Sequence, residues 1–249
     1  IAMKEGTNRT LRYGTGSPYL DVRLPCGGGI DLYVDVNVDR ALLQRAIALG
    51  RARRSFSLLF DPATTRSSLR VEEQNEQAKP GEFVRRFDPK LRIVLAGRGW
   101  EIVAMSQLAQ TSDVELVVAS QEPATLEFCR PYAHELIQLT VPKATPKLPL
   151  DSHTAVACLF HEHEWEGPLL LDALRSEAFY VGALGSRQTH RRRVEVLEAL
   201  GATADEIARL KGPLGLFPSQ DPRSLAVSAL AEIVMVRTTS GGAVKRGAP

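Results

Sequence analysis

Residues 179–193 read FYVGALGSRQTHRRR: an apolar run, then a turn, then an arginine-rich helix. A junction of this kind suits an anion. The N–H groups of a glycine turn point outward at a helix N-terminus, a serine there caps the helix, and an arginine fork matches phosphate oxygens. Gly182, Gly185, Ser186 and Arg187 therefore read as a phosphate cradle. Thr189, Arg191 and Arg192 read as a solvated helix face.

A second glycine turn lies in LRIVLAGRGWEIVAM, where Gly97 and Gly99 fall directly after an apolar run and before a helical pattern. That is the context of a dinucleotide turn, in which glycines allow a tight bend and close approach of a pyrophosphate. Two features depart from that pattern. Ile102 occupies the place of the third glycine, and the next strand ends in Ala119 and Ser120 where a ribose-binding carboxylate is expected, with Glu122 a little further on. The turn is open to three readings: an NAD(P) site, a site for a nucleotide-like ligand with other sugar contacts, or a bend kept for folding.

His161 and His163 stand in HEHEWEG, just after another apolar run. Histidines two apart point to opposite sides of an extended strand but converge if the chain turns. A zinc site needs further ligands at a recognised spacing, which the sequence lacks, and His153 falls at the other end of the strand. Ligand contact, acid–base work and a merely polar loop all stay open. No metal site and no catalytic residue are assigned. Cys26, in PCGGGI, sits at a glycine turn where a thiol is either exposed and reactive or simply small and buried. Cys129 and Cys158 lie in apolar patterns and read as core.

Strands alternating with helices must carry these turns. From Leu91 the chain reads LRIVLAG, a helix to about Gln110, VELVVAS, a helix opened by Pro123, ELIQLTV, TAVACLF, the helix PLLLDALRSE, AFYVGAL, and the arginine-rich helix ending at Gly201. TADEIARLK carries a capping box, Thr203 with Glu206, and DPRSLAVSALAEIVMVR closes the pattern. This alternation predicts an α/β class: a C-terminal Rossmann-like parallel sheet over 91–238, with ligands beyond the carboxyl ends of the strands. Residues 1–71 predict a smaller, strand-rich α+β domain, with DLYVDV and SFSLLFD as strands. The polar 72–90 reads as a linker and 239–249 as a disordered tail.

The 249 residues carry a net charge of +2 with 44% hydrophobic residues, which suits a globular protein and gives no sign of a nucleic-acid partner. The apolar runs are strand-sized, so no membrane partner is expected. Three widely spaced cysteines form neither a disulfide framework nor a CxxC pair, which points to a reducing cytoplasm. The chain opens at Ile1 with no secretory pattern, and upstream residues are expected.

The run FYVGALGSRQTHRRR, followed by GPLGLFPSQDPRSLAVSALAEIV, resembles the C-terminal domain of the XdhC/CoxI family of xanthine dehydrogenase accessory proteins. HEHEWEGPLLLDAL, LRIVLAGRGWEIV and LPCGGGIDLYVDV fall where that family has its histidine loop, its first glycine turn and its Cys-Gly-Gly segment. Trp100 replaces a family histidine in GRGW, FPSQDPRS replaces a glycine-rich stretch, and the family's Gly–Ser–x–Pro–Arg and Gly-Gly-Gly-Cys signatures are absent.

The resemblance implies a chaperone without turnover of its own. It would bind molybdopterin (the molybdenum cofactor), as mononucleotide or dinucleotide, and help it acquire its terminal sulfur. It would then insert it into a molybdenum hydroxylase such as xanthine dehydrogenase. A cysteine desulfurase as second partner and a homodimer are compatible with that role. The resemblance puts Gly182, Gly185, Ser186 and Arg187 at the ligand edge, His161 and His163 nearby, and Cys26 approaching from the smaller domain. Gly97 and Gly99 join the cofactor-binding set. The alternative function is an NAD(P)-dependent oxidoreductase using Gly97 and Gly99, and a third is a nucleotide-sensing or partner-docking module.

Overall fold

The computed structural model describes residues 2–18, 24–71, 81–142, 146–160 and 163–240. The chain divides into two compact units, Ile1–Pro89 and Lys90–Pro249.

In the first unit a short helix α1 (Ala2–Glu5) precedes β1 (Arg9–Gly14) and β2 (Gly29–Val34), an antiparallel pair. Helix α2 (Arg40–Arg51) starts where the Asp39 carboxylate accepts the Ala41 N–H. Strand β3 (Phe56–Asp61) then pairs with β4 (Arg66–Val71) and β5 (Phe83–Phe87), all antiparallel. Ala46, Phe56 and Leu58 form the buried centre. Strand β5 corrects the linker reading of 72–90. Phe83 and Phe87, four apart and on one side of the strand, stack on Tyr33 and Phe56 with ring centroids at 5.4 and 5.1 Å. The intervening arginines made this stretch look like solvated loop. Residues 72–80 lie outside the described residues.

The second unit runs β6 (Leu91–Gly97), α3 (Trp100–Ala109), β7 (Val114–Ser120), α4 (Pro123–Cys129), β8 (Glu135–Gln138), β9 (Thr154–Leu159) and α5 (His163–Arg175). It continues with β10 (Tyr180–Ala183), α6 (Arg187–Ala199), α7 (Ala204–Ala208), β11 (Leu210–Lys211) and α8 (Pro222–Ser240). Its six strands are ordered β11-β10-β9-β6-β7-β8, and every neighbouring pair is parallel. Strand order reverses at β6, as in a doubly wound dinucleotide-type sheet. The predicted Rossmann-like domain is therefore present. Helix α8 continues to Ser240, past the predicted start of the tail, and residues 241–249 lie outside the described residues.

Alternation along the strands feeds two cores. Ile93, Leu95, Val118, Ala155 and Ala157 pack with Ile102 and Met105 of α3 and Ala229 and Ile233 of α8. Val94, Ala96, Val117, Val156 and Cys158 pack with Leu170 and Leu174 of α5 and Leu197 of α6. Strands buried on both faces account for the unbroken apolar runs in the sequence. At the amino edge of the sheet, buried Arg92 donates to Glu115 (2.7 Å) and to the Pro149 carbonyl (2.7 Å). The order reverses between β6 and β9, and there the two sets of crossover helices part to opposite faces.

Candidate functional site

The register fixes what surrounds that reversal. Gly97 at the end of β6 lies opposite Leu159 of β9, and Ala183 at the end of β10 lies opposite Cys158. The first glycine turn, the end of β9 and the Gly185 turn therefore stand at one level on three adjacent strands.

At the first turn Gly97 serves chain packing and Gly99 the bend into α3. Gly97 has φ +146°, and a Cβ there would sit 2.5 Å from the Leu159 carbonyl oxygen, so the turn lies directly on the β9 backbone. Gly99 (φ +89°) caps α3, yet its N–H already donates to the Thr125 hydroxyl (3.1 Å). That hydroxyl in turn donates to Glu122. Glu122, the carboxylate that follows Ala119 and Ser120, is thus tied to the base of the turn, and one N–H that a phosphate would use is taken. Ile102, in place of the third glycine, is fully buried. Trp100 is 64% exposed and lies against Phe128, ring centroids 5.5 Å apart.

The second turn is arranged differently. Ser186 caps α6: its Oγ accepts the Thr189 N–H (3.1 Å) and lies 3.0 Å from the Thr189 hydroxyl. Gly185 has φ +137°, and a Cβ there would come within 2.9 Å of the Thr189 side chain. Arg187 and Ser186 are both exposed at the start of the helix, and Gly185 is half-buried beside them. Gly185, Ser186 and Arg187 are therefore brought together as an open, capped helix N-terminus beside the reversal. Gly182 is not part of it. It is buried within β10, and a Cβ would meet the Tyr180 hydroxyl at 2.5 Å and Leu214 at 2.8 Å. Its want of a side chain makes room for a buried tyrosine rather than for a ligand.

The arginine triplet divides. Arg191 and Arg192 are exposed, as read from the sequence, whereas Arg193 is 2% exposed. Its Nη2 pairs with Glu166 of α5 (2.8 Å) and donates to the Leu184 carbonyl (2.5 Å). Neither residue was singled out in the sequence as an internal pair. The one signal was position: Arg193 falls four residues before buried Leu197, on the inward stripe of α6. His190, on the same stripe, packs against Gly212. Burial holds its imidazole below its usual titration range, and the Arg193 charge adds to this.

His161 lies outside the described residues, as does the side chain of His163, whose backbone begins α5. Cys26 belongs to the first unit, in the loop between β1 and β2, and its thiol is exposed and free. A turn holds it: the Gly27 N–H donates to the Leu24 carbonyl (3.0 Å) and the Thr15 hydroxyl to the Gly27 carbonyl (2.6 Å). Cys129 and Cys158 are core, as expected. Burial pushes both thiols up, Cys158 strongly and with the Glu166 charge adding. Among the described residues no group of three or more His, Cys, Asp or Glu is placed to hold a metal ion. No described helix is long and apolar enough to cross a membrane.

A family profile described as the XdhC Rossmann domain matches residues 93–233, more than half of the chain. The chain belongs to the XdhC family. Its similarity extends beyond that domain. The molybdenum cofactor insertion chaperone PaoD of Escherichia coli K12 is 30% identical over 236 residues, 94% of this chain and 68% of that protein. A probable xanthine dehydrogenase subunit of Bacillus subtilis 168 is 25% identical over 160 residues, 62% of this chain and 46% of that protein. A crystal structure of a xanthine dehydrogenase from Bacillus halodurans shares the fold, with a TM-score of 0.68 at 20% identity, covering 100% of this chain and 80% of that one. In this XdhC-family chain the sheet reversal thus carries one turn whose Gly99 N–H is engaged by Thr125 of α4 and one, at Gly185, left open.

Proposed function

We propose that this chain is a molybdenum-cofactor chaperone, which binds the mature pterin cofactor and inserts it into a xanthine dehydrogenase-type molybdoenzyme. The observation that carries the reading is the similarity, along 94% of the chain, to a cofactor insertion chaperone. The Ser186 turn gives the cargo a place. The pterin carries a phosphate, and Gly185, Ser186 and Arg187 offer an open helix N-terminus with a guanidinium beside it. This donor set fits a phosphate.

Within this reading the cofactor is cargo, in the mono- or the dinucleotide form, and gains its terminal sulfur while held. A cysteine desulfurase would supply the sulfur, a homodimer would be the working assembly and the cytoplasm its compartment. Cys26, exposed in the smaller unit, is the thiol available to such an exchange. No observation favours an NAD(P)-dependent oxidoreductase: the Gly99 N–H is engaged by Thr125, and Ile102 fills the third glycine's place.

The test is anaerobic titration of the full chain with pterin cofactor released from a molybdoenzyme. Saturable binding, weakened by Arg187→Ala, is expected. No binding, or saturable binding of NAD(H) or NADP(H) instead, would overturn the reading.

A further inference from the structure

The buried pair Arg193–Glu166 is not used by the binding site as described. Both side chains are almost wholly enclosed, at 2% and 3% exposure, between α5 and α6. A buried ion pair is poor evidence of a stability device, because apolar replacements of both partners are often neutral or better. What this pair does have is a particular geometry. One nitrogen, Nη2 of Arg193, serves both Glu166 and the carbonyl of Leu184, the residue before Gly185. Leu184 is held on its other side as well, its N–H donating to the Cys158 carbonyl at the end of β9 (2.8 Å). Glu166 lies in the first turn of α5. Beside it, Gly167 lets α6 come close, since a Cβ there would stand 3.0 Å from Leu200.

We propose that Arg193 and Glu166 are positioning residues, a cross-brace that sets the spacing between the first turn of α5 and the glycine turn entering α6. They touch no ligand and act on it only through the Leu184 carbonyl and the first turn of α5. The proposal rests on the reading of the Gly185–Arg187 turn as the phosphate edge, and deepens it.

Two readouts keep the inference separate from that reading. The first needs no ligand: amide hydrogen exchange of residues 185–189 in the full chain. The second is affinity for the released pterin cofactor. The double variant Arg193→Met/Glu166→Leu removes both charges together. It is expected to keep the wild-type melting temperature while the 185–189 amides exchange roughly tenfold faster and the cofactor binds roughly tenfold more weakly. Arg193→Lys keeps the charge beside Glu166 but not the fork, and is expected to recover part of both losses. Wild-type exchange at 185–189 in a folded double variant would overturn the proposal. If the double variant does not fold, wild-type exchange in Arg193→Lys overturns it equally. Unchanged affinity in Arg187→Ala would instead overturn the reading of the Gly185–Arg187 turn as the phosphate edge and leave exchange to decide on the brace.

Discussion

The Tyr180 hydroxyl on β10 donates to the Glu232 carboxylate on α8 at 2.5 Å, and the Gly215 N–H donates to the same oxygen at 2.8 Å. One carboxylate thereby fastens the loop after β11 to the last helix. Burial raises the phenol well above its usual range, with the hydrogen bond and charge of Glu232 adding. Tyr180→Phe leaves the ring in place and removes the bond, and a loss of about 1.5–3 kcal/mol is expected, the range for hydrogen bonds to charged groups. Urea unfolding checks this, and an unchanged midpoint would show the bond to be dispensable.

Gly185→Ala introduces a side chain at φ +137° and 2.9 Å from Thr189. Backbone strain of this kind costs about 1–3 kcal/mol, and relief would come by shifting the turn itself. The expected outcome is a lowered melting temperature together with a loss of cofactor affinity. Full affinity in a destabilised variant would separate the turn from the ligand.

Ser186→Ala removes the cap of α6. Stability should fall by about 1 kcal/mol, the usual worth of such a cap. If the hydroxyl also meets a phosphate, affinity falls further than the cap accounts for, which calorimetry on the folded variant would read directly.

His190 sets a pH dependence. Its folded-state titration lies below the usual 6.5 because burial, then the Arg193 charge, disfavours the cation. Between the folded and unfolded values the unfolded chain holds more protons, so this contribution to stability is intact above about pH 6.5 and is lost as pH falls through the folded value. His190→Gln should flatten the decline below that pH relative to the parent chain. Equal slopes for the two proteins, measured by denaturant unfolding across the window, would remove His190 from the account.

The parallel sheet was legible because LRIVLAG, VELVVAS and TAVACLF are buried on both faces, and a doubly covered strand has no polar side to break the run. The capping box at Thr203 was legible for a local reason: both halves lie within four residues, and both hydrogen bonds form. Longer-range matters were not. β5 looks polar until Phe83 and Phe87 meet rings from Tyr33 and Phe56. Glycine at 182 and glycine at 185 look alike in a sequence, yet one makes room for Tyr180 and the other shapes a turn. Nothing near Gly99 announces that Thr125, from the next helix, takes its N–H. Arg193 carries the same letter as its two exposed neighbours, and its place on the inward stripe of α6, opposite Glu166, distinguishes it.

The large sheet tapers. Its central strands β6 and β7 have seven residues each and β9 has six, while the borders are β8 with four and β11 with two. Short borders offer little unpaired backbone to another chain. The large unit thus presents little sheet edge for indiscriminate strand pairing. Self-association of its large unit at high concentration should not proceed by lengthening the sheet.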